Sequence, residues 1–238
     1  MDIRTRYLQE MGITQWVSRD PGLHPTSEMV VGQNLNIKAK DFIQTDQVMT
    51  DLSAQVDICR QCDLHRTRYT TVFGVGPIPA DLMIVGEAPS AEDDRQGIPF
   101  VGRAGQLLAS MLFSIGFELE DVYIANSLKC RPPDDRDPLA EELAHCNPFL
   151  LQQIQRIQPK VILTLGKVAV QSLLNTSESL AQLRNSGQLR EVVGVPLIAT
   201  YHPAYLLQSP AAKSESWKDL CRARQLLING SSGGGVHT

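Results

Sequence analysis

The chain has 238 residues, of which 42% are hydrophobic and 20% charged, and carries a net charge of −4. That composition supports a sizeable α/β core and excludes wholesale disorder, and no apolar run reaches the ~18 residues that a membrane span needs. The acidic balance excludes a broad basic coat for nucleic acid but leaves room for a local basic groove. Residues 1–10 are polar and mixed in charge, unlike an export signal. The five cysteines are therefore expected in a cytoplasmic, reducing setting, where metal ligation or buried thiols replace a disulfide framework.

Residues 1–22 carry a weak helical pattern: Tyr7, Leu8, Met11 and Ile13 are apolar, and Trp16 and Val17 follow. Gly12 interrupts it and Pro21-Gly22 ends it. Residues 23–52 have no sustained period and read as a linker. From residue 53 to 229, short apolar runs alternate with helical patterns. Leu82-Met83-Ile84-Val85-Gly86 is a predicted strand, and residues 104–117 a predicted helix with Leu107, Leu108, Met111, Leu112 and Ile115 on one side. Residues 122–126 form a second strand. Residues 139–157 are helical, with Pro148 either kinking the helix or opening a new one. Residues 161–165 are a third strand, 167–174 a helix, 196–200 a fourth strand, and 217–228 a last helix. Fully apolar strands between helices predict a four-stranded parallel sheet covered on both faces, a three-layer α/β/α domain. The Gly- and Ser-rich stretch from 230 to 238 reads as a flexible tail.

Cys59 and Cys62 form a C-x-x-C ahead of the first strand. Cys130 follows the second strand and Cys146 lies in or beside the next helix. Four such thiolates suit either zinc or an iron–sulfur cluster, and spacing does not choose between them. Cys221 reads as a small packing residue.

In an open parallel sheet, ligands bind at the carboxyl ends of the strands. The first strand exits into Gly86-Glu87-Ala88-Pro89 and then Pro99-Phe100-Val101-Gly102. The second exits into Asn126 and Lys129-Cys130-Arg131-Pro132-Pro133. The third is followed by Lys167, and the fourth by His202-Pro203-Ala204-Tyr205-Leu206-Leu207. A carboxylate, an aromatic ring, an amide and an imidazole thus converge on one rim.

Over residues 59–228 these motifs resemble the family 4, iron–sulfur uracil-DNA glycosylases. The resemblance implies a 4Fe–4S cluster on Cys59, Cys62, Cys130 and Cys146, and uracil-containing DNA as substrate. It implies that Phe100 stacks on a flipped-out uracil and that Asn126 reads its edge. Gly86, Ala88 and Asp93 line the same site. The resemblance further implies that Glu87 holds the attacking water near the sugar and that His202 stabilises the charge developing on uracil O2. Leu206 or Leu207 wedges into the DNA, with Arg103 and Lys167 also on the DNA side. Ser90 stands where that family usually has glycine, and Gln208 where a basic residue often follows the double leucine.

Residues 1–22 separately resemble the start of the psi subunit of bacterial DNA polymerase III. This second resemblance implies a peptide that docks on the clamp loader through Leu8, Ile13 and Trp16, with the chi subunit as a further partner. A flexible linker of roughly 30 residues spans about 30 Å, enough to hold a repair domain beside such a partner. The alternative is a psi-like accessory subunit that uses a glycosylase fold as a weakly active or inactive scaffold.

Overall fold

The computed structural model describes residues 47–231. The peptide expected at 1–22 with Leu8, Ile13 and Trp16, most of the expected linker and most of the expected tail lie outside the described residues. The strands are β1 (Leu82–Gly86), β2 (Tyr123–Asn126), β3 (Val161–Leu165), β4 (Arg190–Val192) and β5 (Val195–Thr200). They form one sheet in the order β2-β1-β3-β5-β4. The helices are α1 (Gln47–Asp57), α2 (Ala91–Gln96), α3 (Arg103–Phe113), α4 (Ala140–Ile157), α5 (Lys167–Leu174), α6 (Leu180–Asn185), α7 (Pro203–Gln208) and α8 (Lys213–Ser231).

Strands β2, β1, β3 and β5 run parallel, and their register sets Gly86 opposite Asn126 and Leu165 opposite Thr200. The four carboxyl ends are therefore flush, so the loops that follow them share one rim. Alternation along each strand feeds two cores. Met83, Val85, Ala125, Ile162 and Ala199 pack on one face with Val56, Leu150, Ile154 and Val170. Leu82, Ile84, Ile124, Leu163 and Ile198 pack on the other with Leu108, Leu112, Leu220 and Ala223. This is the expected three-layer arrangement.

The sheet departs from expectation at one edge, which carries a fifth strand. β4 pairs antiparallel with β5 through a tight turn in which Val193 (φ 54°) and Gly194 (φ 77°) both lie in the left-handed region. Such a turn matches the twist of a two-residue hairpin. Arg190-Glu191-Val192 is short and mostly polar because an edge strand has only one face to bury, so no apolar run marks it.

The expected linker also ends early. α1 opens at Gln47, inside the 23–52 segment, and buries Met49, Leu52 and Val56 along one side. Those positions are three and four residues apart, one face of a helix. Only these three of its eleven residues are buried, Val48 being exposed, so the segment reads as linker by composition. At the far end α8 continues to Ser231, past the expected boundary at 229. Pro148 lies inside the continuous helix α4. Among the described residues no helix is long and apolar enough to cross a membrane.

Candidate functional site

Gly86 and Asn126 end adjacent strands and touch. A Cβ on Gly86 would collide with Asn126 Oδ1 and come within 2.8 Å of Phe100 Cζ. Glycine at this strand end is thus what lets the amide and the ring approach each other. The two loops beyond are stitched together: Ser127 N–H donates to the Gly86 carbonyl at 2.9 Å, and Leu128 N–H to the Glu87 carbonyl at 3.0 Å.

Asn126 is 1% exposed, yet neither its Nδ2 nor its Oδ1 has a hydrogen-bond partner among the described residues. Its main chain is firmly held. The Lys129 ammonium donates to the Asn126 carbonyl at 2.8 Å and to Gln153 Oε1 at 2.6 Å. Gln153 Nε2 in turn donates to the Phe73 carbonyl at 2.9 Å. Burial pulls the Lys129 pKa down to about 7. A buried amide with both ends free costs roughly 1–3 kcal/mol per unmade bond. It persists here on a rigid strand end, aimed at the rim.

Phe100 sits at φ 59°, a conformation that non-glycine residues adopt only when their surroundings impose it. Asp93 supplies the constraint. Its Oδ1 accepts from Val101 N–H at 3.0 Å and its Oδ2 from Ser90 N–H at 3.1 Å, while Ser90 Oγ accepts from Asp93 N–H at 3.2 Å. That reciprocal pair is a capping box, and it explains a serine at position 90: Ser90 starts α2. Asp93 was expected to line the substrate site. Its buried carboxylate accepts from two backbone N–H groups, one of them on the residue after Phe100. The Phe100 carbonyl lies against Gly105, where any Cβ would clash with it.

His202 follows β5 and caps α7. Its Nδ1 accepts from Ala204 N–H at 3.2 Å, which fixes the neutral tautomer with the proton on Nε2. Burial lowers its pKa to about 4, with the nearby negative charge of Asp93 opposing that shift. At neutral pH it is therefore an uncharged N–H donor. Its ring stacks on Phe100 with centroids 5.7 Å apart and planes 29° apart.

Glu87 is half-buried in the β1 exit. Burial raises its pKa, and Asp137 adds to the shift by like-charge repulsion. Ala88 is half-buried and packs against Leu64, Leu128, Cys130 and Cys146. Arg103 opens α3 and Lys167 opens α5, both exposed. Of the paired leucines, Leu206 is 1% exposed and belongs to the core beneath α7, so it is not free to wedge into anything. Leu207 is 39% exposed, beside Tyr205 at 46%.

The cysteine group forms a separate cavity one loop away. Cys59, Cys62, Cys130 and Cys146 all line it, with Val56, Arg68, Lys129 and Phe149 around them. Arg68 Nη1 donates to Cys130 Sγ at 3.0 Å, and its Nη2 donates to the Asp57 and Cys59 carbonyls. Burial lifts the Cys146 thiol to about 11 and also raises Cys62 and Cys130. Among the described residues, no three His, Cys, Asp or Glu side chains are gathered as ligands of one metal ion. Cys221 lies apart, half-buried on α8.

Sequence reasoning passed over Lys129 and Arg68. The only signal was a lysine placed directly between a strand end and a cysteine, which reads as a surface charge until burial is known.

A doubly wound sheet with an unpaired buried amide, a constrained aromatic ring and a neutral imidazole on one rim defines an α/β protein built to take up a flat, polar ligand. The family model described as the uracil DNA glycosylase superfamily matches residues 73–222. A type-4 uracil-DNA glycosylase from Archaeoglobus fulgidus is 43% identical over 184 residues, covering 75% of this chain and 92% of the relative. One from Thermotoga maritima is 41% identical over 165 residues, covering 69% of this chain and 85% of the relative. A type-5 uracil-DNA glycosylase from Pyrobaculum aerophilum is 32% identical over 146 residues, covering 55% of this chain and 64% of the relative. The chain belongs to the uracil-DNA glycosylase superfamily, within its type-4 family.

Proposed function

We infer that this protein removes uracil from DNA by hydrolysing the N-glycosidic bond of deoxyuridine. The observation that carries the reading is Asn126, whose buried amide has a donor and an acceptor both unpartnered. Uracil presents the complement on one edge: O4 accepts from Nδ2, and N3–H donates to Oδ1. Cytosine offers an amino group and an unprotonated N3 there, so it mismatches both contacts. Phe100 supplies a face for the flipped base to stack on. As the bond to the sugar breaks, charge gathers on uracil O2 and the sugar becomes cation-like. His202 donates its Nε2–H to O2 without first losing or gaining a proton, a contribution of about 2.7–4 kcal/mol for a preorganised donor. Glu87, as the carboxylate, holds the attacking water and faces the cationic sugar. Leu207, the exposed member of the leucine pair, enters the gap left by the base, and Arg103 and Lys167 contact phosphates.

The thiols Cys59, Cys62, Cys130 and Cys146 fit a 4Fe–4S cluster. They line one cavity with an apolar collar, and Arg68 brings positive charge against an all-thiolate set. Cys59, Cys62, Cys130 and Cys146 would hold the cluster as its four thiolate ligands. When bound, the cluster supplies iron–thiolate bonds that tie the 59–62 turn to the β2 exit and to α4. Anaerobically purified protein is expected to be brown and to contain iron and acid-labile sulfide. A colourless, folded protein with one zinc per chain overturns the cluster.

Residues 1–22 add a tether to the clamp loader in this reading. It rests on their sequence, with Trp16 as the anchor and Leu8 and Ile13 beside it. Pull-down of clamp loader by full-length but not by truncated protein is expected; equal recovery removes the tether.

Incubation with uracil-containing oligonucleotides tests the main reading. Abasic product from uracil-DNA and none from thymine-DNA is expected. Full cluster content without any abasic product would instead leave the chain as an accessory scaffold.

A further inference from the structure

Behind the imidazole, β5 leaves the sheet through Thr200 and Tyr201, and a buried ion pair holds that exit. Arg184 of α6 donates from Nε to Asp219 Oδ2 of α8 at 2.6 Å, with the two side chains 3% and 4% exposed. The Arg184 guanidinium lies over the Tyr201 ring, 4.4 Å from its centre. Asp219 also takes a hydrogen bond from Thr200. The Thr200 hydroxyl pairs with that of Ser216 at 3.0 Å, and the Thr200 carbonyl accepts from Gly166 N–H at 2.8 Å. Arg222 Nη1 donates to the Arg184 carbonyl at 2.8 Å, fixing the end of α6. On its other side Tyr201 leans on Tyr205 of α7, ring centres 5.2 Å apart.

A buried ion pair is a poor device for stability, because the cost of desolvating both charges offsets their attraction. Apolar side chains of the same volume fill such a space at least as well. What the pair provides is direction. A planar guanidinium locked to Asp219, with Glu215 Oε2 a further 3.5 Å from its Nη2, can lie flat on only one ring. Here the two gripped residues are the two that immediately precede His202. The imidazole needs that control, since its Nδ1 must stay on Ala204 N–H and its ring on Phe100. An error of about 1 Å at a catalytic donor is costly.

We propose that Arg184 and Asp219 are positioning residues for His202, holding the β5 exit through Tyr201 and Thr200 so that Nε2–H points into the base pocket. This rests on reading that pocket as the site of uracil excision. The ion pair touches no substrate; it acts only through the imidazole. The same grip reaches α7 through Tyr205, which links the imidazole and the exposed Leu207 to one support.

The test uses full-length protein, single-turnover cleavage of a uracil oligonucleotide, and affinity for the same strand carrying non-cleavable 2′-fluoro-deoxyuridine. Arg184→Met is expected to slow cleavage at saturating protein by at least about tenfold while Kd stays within about twofold. Arg184→Lys, which keeps the charge but loses the planar stack, recovers part of that loss. Arg190→Met, which breaks the half-exposed pair with Glu178 nearby, leaves the rate unchanged. In a His202→Ala background, Arg184→Met is expected to cost less than about twofold, because its effect has no imidazole left to act through. The same fold-loss in both backgrounds, a loss confined to Kd, or no loss overturns the proposal. Should Arg184→Met fail to fold, Asp219→Asn carries the same cycle with the side-chain shape kept. Wild-type protein that yields no abasic product overturns the excision reading and this assignment together, whereas active wild type with indifferent Arg184 variants overturns this assignment alone.

Discussion

The base pocket and the cysteine cavity share one loop, Asn126-Ser127-Leu128-Lys129-Cys130, but treat buried polar groups in opposite ways. In the pocket, Asn126 is left with both amide atoms unpartnered and Phe100 is held at a positive φ. In the cavity, Cys130 takes a hydrogen bond from Arg68, and Cys130 and Cys146 pack with Leu64 and Leu128. A binding site keeps its unmet bonds for the ligand, at a cost in stability. In the proposed cluster site the four thiols would tie distant segments together, so they serve the fold. The difference teaches which substitutions should harm the fold and which should harm only the chemistry.

The largest expected effect is in the cavity. Cys130→Ala should lose most of the soluble yield and all bound iron, read by iron assay and by thermal unfolding, whereas Cys221→Ala should lose neither. If Cys130→Ala keeps the melting temperature of the wild type, the cavity is not a structural tie and the contrast with the pocket collapses. Next comes Asn126→Ala. Loss of two buried hydrogen bonds to the base should slow uracil cleavage by about 100-fold or more, roughly 3 kcal/mol. Stability should hold or rise by up to about 1 kcal/mol, because an unsatisfied amide has been removed. Denaturant melts that show clear destabilisation would mean that Asn126 has a structural partner and is no open reader.

A smaller effect concerns pH. In the proposed reaction Glu87 acts as the carboxylate, and burial with Asp137's charge raises its pKa. Lowering the pH protonates it, so the cleavage rate should fall as pH drops through a value above the ordinary carboxylate range. His202, neutral down to about 4, contributes nothing to that limb. Glu87→Gln should be slow and flat with pH between about 5 and 7. An acid limb that survives in Glu87→Gln assigns the titration elsewhere.

The leucine pair gives the smallest and most local contrast. Leu206→Ala should destabilise the fold by about 2–5 kcal/mol, as buried leucines do. Leu207→Ala should leave stability alone and slow cleavage by about tenfold on double-stranded DNA, with less effect on single strands, where no base stack has to be held open. Equal sensitivity of both substrates to Leu207→Ala would remove the wedge.

The sequence by itself determined the parallel strands and the rim. Leu82-Met83-Ile84-Val85, residues 161–165 and residues 196–200 are apolar on both faces, and only a doubly covered sheet buries such runs. Once the sheet is parallel, the exits carrying Glu87, Phe100, Asn126 and His202 must lie at one end, so their convergence was legible from the order of elements. α1, β4 and the short helices α2, α6 and α7 were not legible. Three or four buried positions among polar ones leave little periodicity, and their stability comes from what they pack against. Only the tertiary structure separated Leu206 from Leu207, since neighbouring residues on a helix face in different directions. It also tied the Asp93 carboxylate to the backbone N–H groups of Ser90 and Val101, and it paired Arg184 with Asp219 across 35 residues of chain. Burial and hydrogen-bond partners belong to three-dimensional neighbours, so a residue's type marks what it can do and its packing decides which of those things it does.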